Sequence, residues 1–296
     1  RVGKGIRGAP RDALVADITP PQMRGAAYGL RQALDSLGAV LGPLLAVAFM
    51  VRFANDIRRA MWFAVAPAFV TVGLLILFVR EPERGAGAEA GASGRRLTIK
   101  DAKRLPARYW FVVLLGGFFT LSRFSEAFLV LRAQNVGLAL SYVPVVMIVM
   151  NILYAGGAYP AGVAADRVSP RTLLLLGLAL LVAADVVLAS AASPLMVFAG
   201  AALWGLHMAL TQGLFAKLVA DTAPRELLGT GFGIFNLMSG LALLLASVIA
   251  GFLWSAFGAR ATFLAGAAFA AVAAVGLLAA APLSRRSIKP APPARG

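Results

Sequence analysis

The sequence has no cysteine, one histidine and only 13 acidic residues against 28 Lys and Arg. Without cysteine there is no disulfide, no thiolate metal site and no thiol nucleophile. The lone His207 cannot supply the ligands of a zinc centre, so no metal and no cofactor is expected. Charged residues of both signs total 14%, too few to clothe a soluble domain, whereas 60% of the chain is hydrophobic and mean hydropathy is +0.81. The lipid bilayer is the expected surrounding. No phosphate-binding loop or activated nucleophile is evident, which argues against an enzyme. The chain starts at Arg1 without the charged and apolar regions of a signal peptide.

The excess of positive charge, +15 with a pI near 11.4, superficially suggests nucleic acid. The basic residues nevertheless fall in short segments between apolar runs rather than along one face, as topology determinants do. Nucleic acid is therefore not an expected partner. A crossing helix needs about 20 apolar residues, and nine segments qualify: 1–17 (partial), 25–50, 60–80, 109–132, 141–165, 172–190, 195–220, 227–254 and 260–282. Segment 81–108, with Glu81-Pro82-Glu83-Arg84, a small-residue stretch and a basic cluster, reads as a linker between two bundles. The domains predicted are 1–80, the linker 81–108, a bundle at 109–283 and a basic tail at 284–296. The linker, the tail and the loops carrying Arg24, Arg167, Arg171 and Arg225 hold most of the basic residues, so they are predicted to be cytoplasmic. The location expected is a bacterial inner membrane.

A repeat then supplies a ruler. Leu14-Val-Ala-Asp17-x-x-Pro20 recurs as Leu218-Val-Ala-Asp221-x-x-Pro224, an offset of 204 residues. Gly25 and Gly29 pair with Gly229 and Gly233, and Gln32 with Asn236. At about 34 residues per helix and connection the offset spans six helices, an even number that keeps both copies in one orientation. The expected whole is an all-α membrane protein of two six-helix halves. The nine visible spans would be the fourth to twelfth of about twelve, with three N-terminal helices missing from an N-terminally truncated fragment.

These residues resemble the major facilitator superfamily. Arg1-Val-Gly-Lys4-Gly5-Ile-Arg7-Gly8-Ala9 is similar to the family's fourth-helix motif, with Lys4 in place of Gln and Arg7 in place of a small residue. Gly162-Val-Ala-Ala-Asp166-Arg167-Val-Ser-Pro-Arg171 is similar to its Gly-x-x-x-Asp-Arg loop, with Ser169 and Pro170 departing from the pattern. Gly29, Gly38 and Gly42-Pro43, followed by Ala46-Val47 where Gly-Gly is usual, resemble the fifth-helix motif of drug/proton antiporters. The resemblance implies export of a small molecule in exchange for protons, through a cavity lined by the first, fourth, seventh and tenth helices.

An Arg, Lys or Asp at a helix centre costs about 2.5–3.5 kcal/mol on insertion, so each needs water, a partner or a function. Arg1, Lys4 and Arg7 are candidates for the substrate cavity, with Arg123, Glu126, His207 and Gln212. Arg11 and Asp12 read either as an end-of-helix pair or as functional. Arg31 and Asp35, four apart, either neutralise each other or form a charge switch. Glu126, three residues from Arg123, is the first choice for proton carrier, with Asp35 and its partner Arg31 second. Packing is an equal alternative for His207, as it is for Asn151, Tyr154 and Tyr159. Asp185 has no local partner and reads as solvated near a helix end. Asp17 with Arg24, Asp221 with Arg225, and Asp166 with Arg167, together with Gly162 and Arg171, are candidates for a cytoplasmic gate; local capping is the alternative.

The function expected is secondary active transport by alternating access, as proton-coupled efflux of a small organic molecule. An organic-anion uniporter or symporter of the same fold is the alternative. From another class, a nontransporting membrane receptor or assembly protein stays open.

Overall fold

The computed structural model describes residues 2–52, 57–78, 99–139 and 142–279. Arg1, most of the predicted linker and the tail lie outside the described residues, as do the side chains of Lys4, Arg7 and Pro43. The architecture is all-α, with no strand among the described residues. The helices are α1 (Val2–Ile18), α2 (Arg24–Arg52), α3 (Ile57–Phe78), α4 (Ala107–Leu121), α5 (Ala127–Asn135), α6 (Val143–Arg167), α7 (Pro170–Ser190), α8 (Pro194–Thr222) and α9 (Leu228–Ala279).

Helix starts follow from local chemistry. Ser169 precedes Pro170, and its hydroxyl accepts the N–H of Thr172 at 3.2 Å, so the departure from the loop motif is an N-cap followed by an N1 proline. Ser193-Pro194 opens α8 with the same pair of residues, although its serine makes no capping bond. Within α9, Gly258 has φ 83°, a left-handed conformation suited to glycine, and it divides the helix into two limbs. The Thr262 hydroxyl donates to Ala250 O at 3.5 Å. Twelve residues of straight helix would separate these by roughly 18 Å, so the second limb folds back beside the first, matching the two spans expected at 227–254 and 260–282.

One expectation fails. The span 109–132 is not a continuous helix, because the chain leaves α4 after Leu121 and re-enters α5 at Ala127. Hydroxyls compete for the backbone there: Ser122 donates to Phe119 O at 2.7 Å, Ser125 Oγ accepts from Ala127 N at 3.3 Å, and Ser125 N donates to Ser247 Oγ at 3.2 Å. Beyond the break, buried Arg132 donates to Leu188 O at 2.9 Å and Ala191 O at 2.7 Å, capping the last carbonyls of α7.

Small residues let the helices cross closely. Gly25 and Gly29 of α2 lie against Ala158 and Gly162 of α6, and a Cβ on Gly162 would come within 2.9 Å of the Gly29 Cα. A second crossing sets Gly157 of α6 on Ala209 of α8, where an added Cβ would meet the Ala209 methyl at 2.9 Å. The large core of the chain's second part fills in around Trp204, Leu129, Met150, Leu174, Leu181 and Phe263.

Replacing Gly162 with valine should destabilise the protein by about 1–3 kcal/mol, because backbone rather than a flexible side chain blocks the new atoms. Gly156→Ala, where an added Cβ meets nothing within 4 Å, should cause no loss. Thermal unfolding in detergent measures both.

Candidate functional site

Where α2, α6 and α8 end together, side chains lock the first part of the chain to the second. The Asp166 carboxylate at the end of α6 accepts the Gly25 and Ala26 N–H groups at 2.9 Å each, satisfying free donors at the first turn of α2. Lys217 of α8 reaches Asp166 at 3.3 Å and Asp221 at 3.0 Å. Arg24, buried at the head of α2, binds Asp221 at 3.0 Å and donates to Ala220 O at 3.0 Å and Ala16 O at 3.2 Å. Glycine is required beneath Asp166, since a Cβ on Gly25 would stand 2.7 Å from its Oδ1.

The gate candidates are thus partly regrouped. Arg24 pairs with Asp221, from the distant copy of the repeat, and not with Asp17 in its own turn. Asp17, Arg167 and Arg225 are exposed with no side-chain bond among the described residues, and Arg171 donates to Leu278 O instead. Lys217 was not anticipated; its i, i+4 spacing from Asp221 was the available signal.

Between the two parts of the chain lies a cavity of about 220 Å³. One wall is charged: Asp12 and Arg31 face it, with Arg31 Nε 3.4 Å from Asp12 and Arg31 Nη1 3.1 Å from Asp35. Arg11 completes this network at 3.4 Å from both Asp12 and Asp35. The opposite wall is aromatic. Phe119 meets Phe215 edge-on at 5.1 Å, and Phe215 contacts Phe235 at 6.0 Å. Gln32 and Asn236, partners in the 204-residue register, both line this space, yet Arg31 is matched there by Phe235 and Asp35 by Ser239.

Arg123 projects into the cavity from the break between α4 and α5. With its amide oxygen toward the guanidinium, Gln212 accepts from Arg123 Nη2 at 3.0 Å. No carboxylate pairs with Arg123 among the described residues. Glu126 is half-buried at the N-cap of α5, without a side-chain bond among the described residues. The break removes the shared helical face on which the expected Arg123–Glu126 pairing relied. His207 lies outside the cavity lining: it is buried, bonded through Nδ1 to Gly177 O at 2.8 Å, and stacked on Phe119 with ring centroids 5.4 Å apart. Gly29 sits in the α2–α6 crossing, while Cβ atoms on Gly38 or Gly42 would meet nothing within 4 Å. Asp185 corrects the sequence reading, being 0% exposed rather than solvated.

Apolar helices long enough to cross a bilayer, folded into two parts that share a polar cavity, define an integral membrane transporter. The sequence pattern of the Major Facilitator Superfamily matches residues 2–153 and 123–296. The chain is 30% identical over 285 residues to an uncharacterized MFS-type transporter of Methanocaldococcus jannaschii, covering 94% of this chain and 69% of that one. It is 27% identical over 265 residues to an uncharacterized protein of Mycobacterium tuberculosis, covering 86% of this chain and 62% of its relative. The crystal structure of the human organic anion transporter MFSD10 (TETRAN) superposes with a TM-score of 0.73 at 19% identity, over 91% of this chain and 67% of the other. The chain belongs to the Major Facilitator Superfamily.

Removing the Asp166 carboxylate with alanine strands two backbone donors and leaves Lys217 with Asp221 alone. The loss should be about 1–3 kcal/mol. Because the chain has no cysteine, spin labels on cysteines placed at exposed Ile18 and Val168 will read only those sites. The Asp166→Ala variant should lengthen or broaden their distance distribution in double electron–electron resonance.

Proposed function

We propose that this protein exports a small polar or anionic organic molecule by alternating access, in exchange for protons. The observation that carries the reading is Arg123, a cation at a helix break inside the cavity, joined there to the neutral amide of Gln212. A guanidinium without a carboxylate is available to an anionic group, and the Phe119–Phe215–Phe235 wall offers apolar surface to the rest of the molecule. Arg1, Lys4 and Arg7 are further cationic candidates for the same substrate on the sequence pattern.

The Asp166–Lys217–Asp221–Arg24 latch acts as the cytoplasmic gate in this reading. It holds the two halves together at one end in the conformation described, and its release would let them rock apart. Glu126 and Asp35 are the coupling candidates: protonation of Asp35 would loosen Arg31 and Arg11, and Glu126 is a half-buried acid at the helix break with no side-chain bond among the described residues. The linker, the tail and this end of the bundle lie on the cytoplasmic side of an inner membrane. Three further helices complete the first half. The second of them would cover Gly229 and Gly233, where an added Cβ meets nothing within 4 Å although their counterparts Gly25 and Gly29 are crossed by α6.

An organic-anion uniporter or symporter is the second reading. It is favoured by the same Arg123, and the human organic anion transporter MFSD10 shares the fold.

Full-length protein in proteoliposomes, offered fluorescein as an organic anion and ethidium as an organic cation, separates these readings. The anion should move, accelerated by an opposing pH gradient, and Arg123→Ala should cut its kcat/KM roughly 10- to 150-fold, the worth of one charge-assisted hydrogen bond. Flux of the anion indifferent to pH would favour the uniporter, and binding without flux a receptor. Glu126→Gln should abolish the gradient's effect; if acceleration survives, Glu126 is not a coupling residue.

A further inference from the structure

The most isolated acid among the described residues is Asp185. It lies on α7 with 0% exposure, and neither carboxylate oxygen has a hydrogen-bond partner among the described residues. The position is five residues before Ser190, roughly 8 Å along the helix from its end. Its neighbours are apolar or already committed. Its Oδ2 stands 2.7 Å from where a Cβ on Gly266 would lie, and Phe124 Cε1 is 2.9 Å from that same point. Glycine at 266 is what leaves room for the carboxyl group. Trp204 packs against the Phe124 ring at 5.3 Å, and its buried indole N–H also lacks a partner.

The charged and titratable groups on every element packed against α7 are accounted for. On α5, Arg132 is spent on the carbonyls of Leu188 and Ala191. Glu126 precedes that helix, and Arg123 faces the cavity. On α8, His207 is bonded to Gly177 O, and Lys217 and Asp221 belong to the latch. On α9, Arg260 is exposed, and at the far end of α7 itself Arg171 binds Leu278 O. None forms an ion pair with Asp185 among the described residues. An ionised carboxylate here would be fully buried with no counter-charge among the described residues, which protein interiors do not sustain; the neutral acid needs only a proton.

A second cavity adjoins the acid. Phe124 and Gly266 also line a second, apolar cavity of about 120 Å³ bounded by α4 and both limbs of α9. Asp185 stands behind this wall of one ring and one glycine. Phe124 belongs to the break between α4 and α5, where the ring can shift without costing a run of helical hydrogen bonds.

We propose that Asp185 is a proton-binding site, closed in this conformation by Phe124 and Gly266 and opened to exchange when the α4–α5 break moves against the second limb of α9. The step is a simple transfer: the carboxylic O–H breaks, its electron pair stays on the carboxylate, and the proton passes to water. This site is additional to Glu126 and Asp35, and it rests on the proton-coupled reading above.

Infrared difference spectroscopy of the full-length protein in lipid tests it, with protons as the only ligand. The unmodified protein should show a carboxylic-acid C=O band at neutral pH that Asp185→Asn removes and Glu126→Gln keeps. Its thermal midpoint should survive in Asp185→Asn, because asparagine is neutral and nearly the same shape. Absence of the band, its persistence in Asp185→Asn, or a collapse of the midpoint in that variant would overturn the proposal, the last by exposing a hidden counter-charge. Asp185→Glu supplies an independent check, since it should shift the band; an unshifted band also overturns the assignment. A band lost in Asp185→Asn alongside substrate flux indifferent to pH upholds the site and defeats only proton-coupled transport.

Discussion

The arrangement depends on the approach of α2 to α6 through residues that have little or no side chain. Gly25, Gly29 and Gly162 bring two backbones together so closely that the Asp166 carboxylate can accept two N–H groups from the next helix. Those donors sit at a helix N-terminus, where unsatisfied N–H groups and the helix dipole both favour an anion. The resulting negative charge then organises Lys217, which in turn holds Asp221, and Asp221 holds Arg24. A steric condition thereby becomes an electrostatic chain across three helices.

The cavity follows from the same approach. With α2 held against α6 and α8 near their shared ends, the space above is bounded on one side by the Arg11–Asp12–Arg31–Asp35 network and on the other by phenylalanines. The pseudo-symmetry that made the two halves is retained in the Gln32–Asn236 pair and lost next to it, where charge faces ring. Recognition of an unsymmetrical molecule needs such a difference, and duplication alone does not supply it.

Much of the fold was legible because hydropathy and span length report directly on helices that lie in lipid. The repeat was legible too, since its offset preserved both spacing and residue type. What escaped were features set by competition or by distance. The unwinding at 122–126 arises from Ser122 and Ser125 hydroxyls taking over backbone bonds, which an apolar run conceals. Arg24 and Asp221 are separated by 197 residues, so spacing within a turn suggested the wrong partner for each. Gln212 and Arg123 were visible as polar interruptions, but their meeting required the helix break. Asp185 was misread because sequence shows that a residue is near a helix end and does not show what covers it.

The Arg132 cap makes the two pieces of the broken helix mechanically unequal. The nine residues of α5 are bolted to the end of α7, whereas the fifteen of α4 extend from the break as an arm about 22 Å long whose far end is held to α9, where the buried Tyr109 hydroxyl donates to Gly231 O at 2.8 Å. A turn of about 10° at Ser122–Glu126 sweeps the far end of that arm by roughly 4 Å, on the helix geometry alone. Arg123 rides at the pivot and hardly moves. A pivot at this break would carry the cation at its fulcrum, so a displacement of that arm together with the first limb of α9 need not disturb the group proposed to meet the cargo.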